Sequence, residues 1–336
     1  MPELPEVETV RSGLERVLVG RKFARVVQRR MDLRFPLPDQ FAERLTGRRV
    51  DRLERRAKYL LLHLDGAEVL AVHLGMTGRF SVALPPQSHR GERSSRFRGD
   101  GLGPAEALPA LAAQGSPLRA PARGGDGGAA EFQLGDYTYE HGRNIKHDHL
   151  VFTMSDGAVV TYNDARRFGY MALVPAEEIA THVYFAGLGV EPLSDGLSPA
   201  YLAARAHEKK VDLKALLMDQ RIVAGLGNIY VCEALFRARL SPFRPAATLA
   251  TRTGTPMPRA APLVAEIKSV LLDAVRAGGS TLRDYKQADG SLGRFQNEFS
   301  VYGRAGEPCS RRGCRGRVRR KTQAGRSTFY CPACQH

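Results

Sequence analysis

The chain has 336 residues, enough for two domains with substantial apolar cores. No apolar run reaches the ~20 residues that span a bilayer, and no basic-then-apolar leader precedes the first predicted helix, so we expect a cytoplasmic protein without a membrane partner. The formal net charge of +15 predicts an anionic partner, and nucleic acid is the leading candidate. Alternatively, the positive charge reflects a general enrichment in arginine and no particular partner.

The most informative stretch is the beginning of the chain, MPELPEVE. Because Pro2 is small, removal of Met1 is expected, and the proline nitrogen then becomes a terminal secondary amine. Such an amine attacks an electrophilic carbon and leaves an iminium. It titrates near ~8, against ~10.4 for lysine, and Glu3 beside it is a candidate general acid or base. Alternatively, Pro2 and Pro5 only begin a helix.

Apolar residues at helical spacing predict a helix over residues 5–19 that ends at Gly20. Short extended runs follow over 22–82 and again over 148–174, where Asp156 and Gly157 form a hairpin turn. The pattern predicts an N-terminal antiparallel β-sandwich flanked by helices, over residues 1–188.

Residues 85–136 interrupt this pattern. Gly and Pro make up 16 of these 52 residues, a level typical of disorder. We predict a flexible basic insertion between strands. A solvated loop is the favoured interpretation, and nonspecific phosphate contacts are the alternative.

The second half of the chain is predicted to be helical. Residues 189–199 have the composition of a linker, and helices are indicated around 213–218, around 229–236 and over 263–276. Cys232 lies on a helix face and is predicted to be a core residue. We therefore divide this half into a helical domain at 200–300 and a cysteine-bearing segment at 301–336.

Four of the five cysteines lie in the last 28 residues, with the spacing Cys309-x4-Cys314-x16-Cys331-x2-Cys334. Clustering at one end favours a metal site over a disulfide framework. Four thiolates satisfy a tetrahedral zinc ion completely, so the predicted Zn²⁺ is structural, and free thiols are the alternative. Arginines and lysines crowd this segment, as expected for a hairpin that contacts DNA phosphates.

A turn with two glycines, AGLGN, lies between two predicted helices at 224–228. Asn228 occupies the position of an N-cap, and a helix N-terminus favours phosphate binding. Lys210 and Lys214, predicted to lie on the preceding helix, would add positive charge.

Several motifs occur together in one order: the opening MPELPEVE, HLGMTG at 73–78, NDARRFG at 163–169, VAGLGNIY at 223–230 and the four-cysteine finger. In combination they closely resemble the bacterial formamidopyrimidine-DNA glycosylases. The resemblance covers nearly all of the chain outside 85–136. It implies a multidomain α+β protein with a C-terminal helix-two-turn-helix domain and a four-cysteine zinc finger.

The resemblance also implies catalytic roles. Pro2 matches the family's nucleophile and Glu3 its acid–base partner. Lys58 falls where the family has a strand lysine that assists elimination, and Glu6 matches a carboxylate that orients the terminus. Arg326 matches the finger arginine used near the scissile phosphates and in the second elimination.

DNA contacts are implied in the same way. The side chains that match the wedge filling the gap left by an extruded base are Met76, Arg166 and Phe168. Those that match phosphate contacts are His147, Lys210 and Asn228. Residues 278–285 resemble the loop that closes over the damaged base, within a segment, 278–298, whose bound conformation the sequence leaves open.

The chain departs from the family pattern at two places. The first zinc knuckle has four intervening residues where many members have two, and residue 165 is Ala where the family often has Pro, which loosens the turn before Arg166.

We therefore expect a monomeric bifunctional DNA glycosylase and AP lyase with one structural Zn²⁺. It would excise oxidised purines (8-oxoguanine, formamidopyrimidines) from duplex DNA through a Schiff base on its N-terminal proline, followed by β,δ-elimination, in the bacterial cytoplasm and nucleoid. Two alternatives stay open: an endonuclease VIII-type glycosylase for oxidised pyrimidines, and a noncatalytic zinc-finger DNA-binding protein.

Overall fold

The computed structural model describes residues 2–85, 131–134, 144–279 and 295–336. Most of the predicted insertion at 85–136 lies outside these residues, as do 280–294 of the predicted loop and Met1. Among the helices of the described ranges, none combines the length and apolar character that a membrane crossing requires.

Two antiparallel sheets form the N-terminal half of the described chain. The strands are β1 Phe23–Gln28, β2 Val50–Arg56, β3 Tyr59–Leu64, β4 Glu68–His73, β5 Arg79–Ala83, β6 Glu131–Leu134, β7 Asp148–Met154, β8 Val159–Asn163 and β9 Tyr170–Pro175. One sheet has the order β1-β7-β8-β5-β6 and the other β2-β3-β4-β9. Phe152 and Val160 of the first share a core with Leu62 and Val72 of the second. The sheets pack face to face, which confirms the predicted β-sandwich.

The first helix, α1 (Leu4–Leu18), flanks this sandwich as predicted. Its apolar side chains recur every three or four residues, and Val7, Val10 and Leu14 are completely buried. Gly20 follows the helix with a φ of 80°, a left-handed conformation that suits glycine and ends the helix.

The sequence patterns did not indicate two short elements. A second helix, α2 (Phe41–Leu45), has only five residues, too few to show a helical period. Strand β6 pairs with β5, with Phe132 opposite Val82. Four residues assigned to the insertion therefore belong to the sheet. The sequence pattern did not predict this strand, because it is short and its neighbours are rich in glycine.

The predicted linker at 189–199 has no regular helix or strand before its last residue, but it is fastened to the sandwich. The Glu191 carboxylate accepts a hydrogen bond from Ala57 N at 2.6 Å and pairs with Arg55 and Arg56 at 2.8 and 2.9 Å. The connection therefore fixes the two halves to each other at the β2–β3 turn.

The described part of the second half is helical, as predicted, with α3 Pro199–Ala206, α4 Leu213–Met218, α5 Asn228–Arg237 and α6 Ala260–Arg276. These helices share a separate apolar core. The chain then ends in a hairpin of β10 (Arg319–Gln323) and β11 (Arg326–Tyr330). Cys232 is buried between α5 and this hairpin, beside Phe236 and Phe329, which confirms its predicted place in the core.

Candidate active site

The beginning of the chain is buried against the two-glycine turn before α5. Leu4 N donates to Gly225 O at 3.1 Å, and both Pro2 and Glu3 are buried. The Glu3 carboxylate accepts from Ile229 N at 3.0 Å, so it covers the N-terminus of α5. This approach requires a glycine, because a Cβ at Gly227 would lie 2.4 Å from Glu3 Cδ.

A second carboxylate holds the first turn of α1. Glu6 Oε2 accepts from Glu3 N at 2.9 Å in a capping box, and Glu6 Oε1 accepts from the Tyr230 hydroxyl at 2.5 Å. Glu6 thus connects the chain start to α5, as expected of a residue that orients the terminus. Its partner Tyr230 ends the VAGLGNIY motif, but no sequence pattern indicated this contact, since the two residues are 224 positions apart.

Lys58 faces the same carboxylates from the β2–β3 turn and is only 7% exposed. Burial lowers the pKa of its amine, the charge of Arg326 lowers it further, and Glu3 opposes both. Burial raises the pKa of Glu3, while Lys58 acts in the opposite direction. Both groups therefore exchange protons more readily near neutral pH than exposed counterparts would.

The turn that presents Lys58 is held in an uncommon conformation. Ala57 has a φ of 52°, in the left-handed region. Its N–H donates to Glu191, and its carbonyl accepts from Arg55 at 2.9 Å. The linker carboxylate thereby fixes the residue directly before Lys58.

These groups line a cavity of about 210 Å³ between the sandwich and the helical half. Its walls include Glu3, Lys58, Gln220, Gly227, Asn228, Tyr302 and Arg326. The structure therefore brings three of the predicted catalytic side chains into one space. Pro2, which directly precedes Glu3 in the chain, is buried.

Gln220, a residue that sequence reasoning missed, holds the two-glycine turn. Its side chain accepts from Gly225 N at 2.8 Å and donates to Leu226 O at 2.7 Å. No sequence motif marked Gln220, because its hydrogen bonds are to backbone groups of the turn.

Asn228 is not the N-cap of α5. Gly227 occupies the N-cap, and Asn228 is the first helical residue. Its Nδ2 donates to Ser327 O at 3.0 Å and to the Tyr302 hydroxyl at 3.3 Å. Its buried Oδ1 has no hydrogen-bond partner among the described residues.

The two lysines predicted on the preceding helix are placed differently from each other. Lys210 lies before α4 begins, so its predicted place on the helix was wrong, and it is exposed outside the lining of the cavity. Lys214 is on α4 but only 2% exposed, and its Nζ donates to Thr328 Oγ1 at 2.6 Å. Asp212 is the N-cap of α4, so the helix begins at Leu213 and Lys210 lies before it. Lys214 fastens the finger hairpin to α4.

The predicted wedge residues lie together on two loops, β4–β5 and β8–β9. Met76 is 36% exposed and Phe168 39% exposed, and the Arg166 guanidinium carbon lies 4.6 Å from the centroid of the Phe168 ring. An apolar side chain, a planar cation and an aromatic ring are thus exposed on these two loops.

Buried groups join these two loops. Asp164, which is completely buried, accepts hydrogen bonds from the Thr77 hydroxyl and from Gly169 N, and Arg166 N donates to Thr77 Oγ1 at 3.1 Å. A Cβ at Gly75 would lie 2.2 Å from the carbonyl carbon of Phe168. The turn is therefore held by Asp164, although the proline common in the family is absent at the next position.

His147 ends a one-turn 3₁₀ helix, Ile145–His147, next to these loops. Its carbonyl accepts from Asp164 N at 3.0 Å, and its ring lies 6.4 Å from the ring of His149. It is partly exposed and does not line the cavity.

The four cysteine sulfurs lie within 4.8 Å of one another. The Cys309–Cys334 and Cys314–Cys331 pairs are 3.8 and 3.7 Å apart. Zn–S bonds of about 2.3 Å in a tetrahedron give S···S separations of about 3.8 Å. The thiolates therefore fit one structural Zn²⁺, and the wider first knuckle does not prevent the cluster from forming.

Comparisons with protein families agree with this geometry. The formamidopyrimidine-DNA glycosylase N-terminal domain matches residues 1–171, and the H2TH domain of the same enzymes matches 188–286. The chain belongs to the formamidopyrimidine-DNA glycosylase family. A zinc finger found in these proteins and in isoleucyl-tRNA synthetases (FPG and IleRS) matches 306–336.

Individual relatives match the whole chain. A formamidopyrimidine-DNA glycosylase of Methylobacterium radiotolerans is 52% identical, with 100% of this chain and 99% of the relative covered. One from Phenylobacterium zucineum is 50% identical, with both chains fully covered.

Solved structures give the same result. The MutM (Fpg) protein of Thermus thermophilus has a TM-score of 0.71 and 34% identity, and the match covers 99% of this chain and 98% of that one. The Fpg of Lactococcus lactis, solved in complex with abasic-site-containing DNA, has a TM-score of 0.71 and 28% identity over 99% of each chain. The α+β multidomain architecture expected of a member of the family is thereby confirmed.

Proposed function

We propose that this member of the family excises oxidised purines, 8-oxoguanine and formamidopyrimidines, from duplex DNA and then cleaves the strand as an AP lyase. The observation that carries the proposal is the grouping of Glu3, Lys58 and Arg326 around one cavity, with the buried Pro2 directly before Glu3 in the chain. The names of the full-length relatives and the DNA in the Lactococcus lactis complex support it.

The first chemical step belongs to Pro2. After removal of Met1, the lone pair of the proline nitrogen attacks C1′ of the damaged nucleotide, and the C1′–base bond breaks. Glu3 assists the proton transfers, and its raised pKa suits it to this task. The base leaves with a proton, the sugar ring opens, and an iminium joins Pro2 to C1′.

Strand cleavage follows from the iminium. Electron withdrawal acidifies the C2′ proton, and its loss expels the 3′ phosphate by β-elimination. A second elimination expels the 5′ phosphate and leaves a one-nucleotide gap. Lys58 has the lowered pKa needed to accept a proton, and Arg326 supplies a cation for a leaving phosphate.

The wedge explains how the nucleotide reaches the cavity. Extruding a base costs a few kcal/mol of stacking and pairing. Met76, Arg166 and Phe168 present the exposed apolar and planar surfaces that recover part of this cost.

We further propose His147, Lys210 and Asn228 as phosphate contacts. We also propose the domain limits 1–188, 200–300 and 301–336, and a monomer that acts on DNA of the bacterial nucleoid.

Borohydride reduction of the iminium tests this proposal. Wild-type protein incubated with an 8-oxoguanine duplex should form a covalent adduct. Pro2→Gly, or protein that keeps Met1, should form much less, whereas Pro85→Gly is a matched proline control. Absence of an adduct with folded wild-type protein would contradict the mechanism.

Parallel reactions with a thymine glycol duplex separate the oxidised-pyrimidine alternative. We expect faster cleavage of the 8-oxoguanine duplex. Faster cleavage of thymine glycol would favour the endonuclease VIII type, and binding without cleavage of either would favour a noncatalytic protein.

A further inference from the structure

The loop after β1 presents a basic and aromatic surface that the function above does not use. Arg34 is exposed, Phe35 is 45% exposed and Met31 is 79% exposed. The Arg34 guanidinium carbon lies 5.5 Å from the centroid of the Phe35 ring. Within the described ranges no carboxylate pairs with Arg34, so its charge is available to a ligand.

This loop is attached to the wedge. Arg34 N donates to Gly169 O at 3.0 Å, directly after Phe168. Arg34 also lines an open cavity of about 420 Å³ together with Arg166 and Phe168. The side chain is therefore placed beside the surface that is proposed to replace the extruded base.

One carboxylate, Asp32, shares that cavity, and its charge is already compensated. Asp32 pairs with Arg30 at 3.1 Å and with Arg167 at 3.5 Å. The balance of charge in the cavity is consequently positive, which favours an anion.

The charge of Arg34 also reaches a ring that lies near Lys58. The His73 ring stacks on Tyr170 at 4.9 Å, and the Phe35 ring packs edge-on against Tyr170 at 5.4 Å. Burial, together with the charges of Lys58 and Arg34, lowers the pKa of His73 to about 4. The charges of Lys58, in the catalytic cavity, and of Arg34, beside the wedge, thus both favour the neutral form of the His73 ring.

We propose that Arg34 binds a phosphate of the damaged DNA strand where that strand passes from the wedge to the catalytic cavity. Phe35 and Met31 form the apolar edge of this contact, against the adjoining sugar. The inference rests on the proposed function, because that function places the damaged strand along this path. An exposed, unpaired arginine between two DNA-contacting surfaces fits a backbone phosphate, which positions the duplex without selecting its sequence.

Salt-dependent binding tests the contact. The probe is a duplex with a tetrahydrofuran abasic analogue, titrated by fluorescence anisotropy at several salt concentrations. Loss of one phosphate contact lowers the slope of log affinity against log salt by about 1. We expect this for Arg34→Ala, with affinity weaker by roughly 5-fold at low salt. Arg34→Lys should keep most of the slope, since it keeps the charge.

Arg16→Ala is the matched control, because Arg16 is also exposed and has no ion pair within the described ranges. It should bind like the wild type, and all variants should melt at the wild-type temperature. A wild-type slope for Arg34→Ala would overturn the contact, as would an equal loss in Arg16→Ala.

Borohydride trapping separates this inference from the function on which it rests. If wild-type protein forms the adduct and Arg34→Ala keeps the wild-type salt slope, only the Arg34 contact fails. If wild-type protein forms no adduct, the proposed function fails, whatever the slope.

Discussion

The catalytic cavity and the wedge both depend on a buried carboxylate, but they use it in opposite ways. In the cavity, Glu3 is itself the proposed acid–base group, and burial raises its pKa. In the wedge, Asp164 only holds the loops, and Met76 and Phe168, the proposed stacking side chains, are exposed. Chemistry near neutral pH requires desolvated groups, whereas stacking on DNA requires exposed ones.

This contrast predicts different consequences of mutation. Changes in the cavity should alter reaction rates and leave stability intact or improved. Changes beneath the wedge should reduce stability and rate together, and changes at the wedge surface should reduce the rate alone.

The largest effect is expected for Gly227→Ala. The new Cβ would lie 2.4 Å from Glu3 Cδ, so the carboxylate must leave the N-terminus of α5. We expect single-turnover base excision to fall by roughly 10²–10⁴-fold, the range for a lost general acid–base.

Gly187→Ala is the control for that change, because nothing lies within 4 Å of its Cβ position. It should react at the wild-type rate. Wild-type activity in Gly227→Ala would show that the close approach of Glu3 to α5 is not needed.

Asp164→Ala should have the next largest effect. It leaves the Thr77 hydroxyl and Gly169 N without their buried acceptor. We expect the free energy of unfolding to fall by roughly 2–4 kcal/mol, with slower excision, in denaturant titrations and single-turnover assays. Asp195→Ala, at an exposed carboxylate with no hydrogen bond or ion pair within the described residues, should change stability by less than about 0.5 kcal/mol. Equal stability of the two variants would refute the supporting role of Asp164.

Met76→Ala should separate rate from stability. Its side chain is 36% exposed, so the melting temperature should not change, while lost stacking should slow excision roughly 10-fold. Val183→Ala, at a residue 81% exposed, should change neither quantity. An unchanged excision rate in Met76→Ala would show that Met76 does not act as part of the wedge.

The smallest effect is a gain of stability in Glu3→Gln. Because the folded-state pKa of Glu3 is raised, the ionised carboxylate destabilises the fold above its ordinary pKa. Glu3→Gln should therefore lose base excision to the same extent as Gly227→Ala, yet be more stable by roughly 1 kcal/mol at pH 7. The difference should shrink as the pH falls through the folded-state pKa and the wild-type carboxyl becomes protonated. A difference independent of pH would contradict this account.

Local patterns were sufficient for much of the fold. The spacing of Val7, Val10 and Leu14 fixes the buried face of α1, and the spacing of the cysteines identifies the metal cluster. Both features depend on residues close in sequence. Strand β6 was not predicted because its four residues are too few to show the alternating pattern of a strand.

Much of the site could not be predicted in this way. Tyr230 and Asp164 lie in motifs that the sequence marks and Gln220 lies in none, but all three act through hydrogen bonds that only the folded chain brings together. The positions of Lys210 and Lys214 depended on where α4 begins. A helix boundary set by the Asp212 cap decided which lysine is buried.

The proposed mechanism requires Pro2 as the attacking group, and mapping the crosslink tests this requirement most directly. Wild-type protein is reduced with borohydride on an 8-oxoguanine duplex, digested, and sequenced by tandem mass spectrometry. We expect the deoxyribose remnant to be attached to Pro2 in a peptide that lacks Met1. A remnant on Lys58 or another lysine, with Pro2 unmodified, would contradict it.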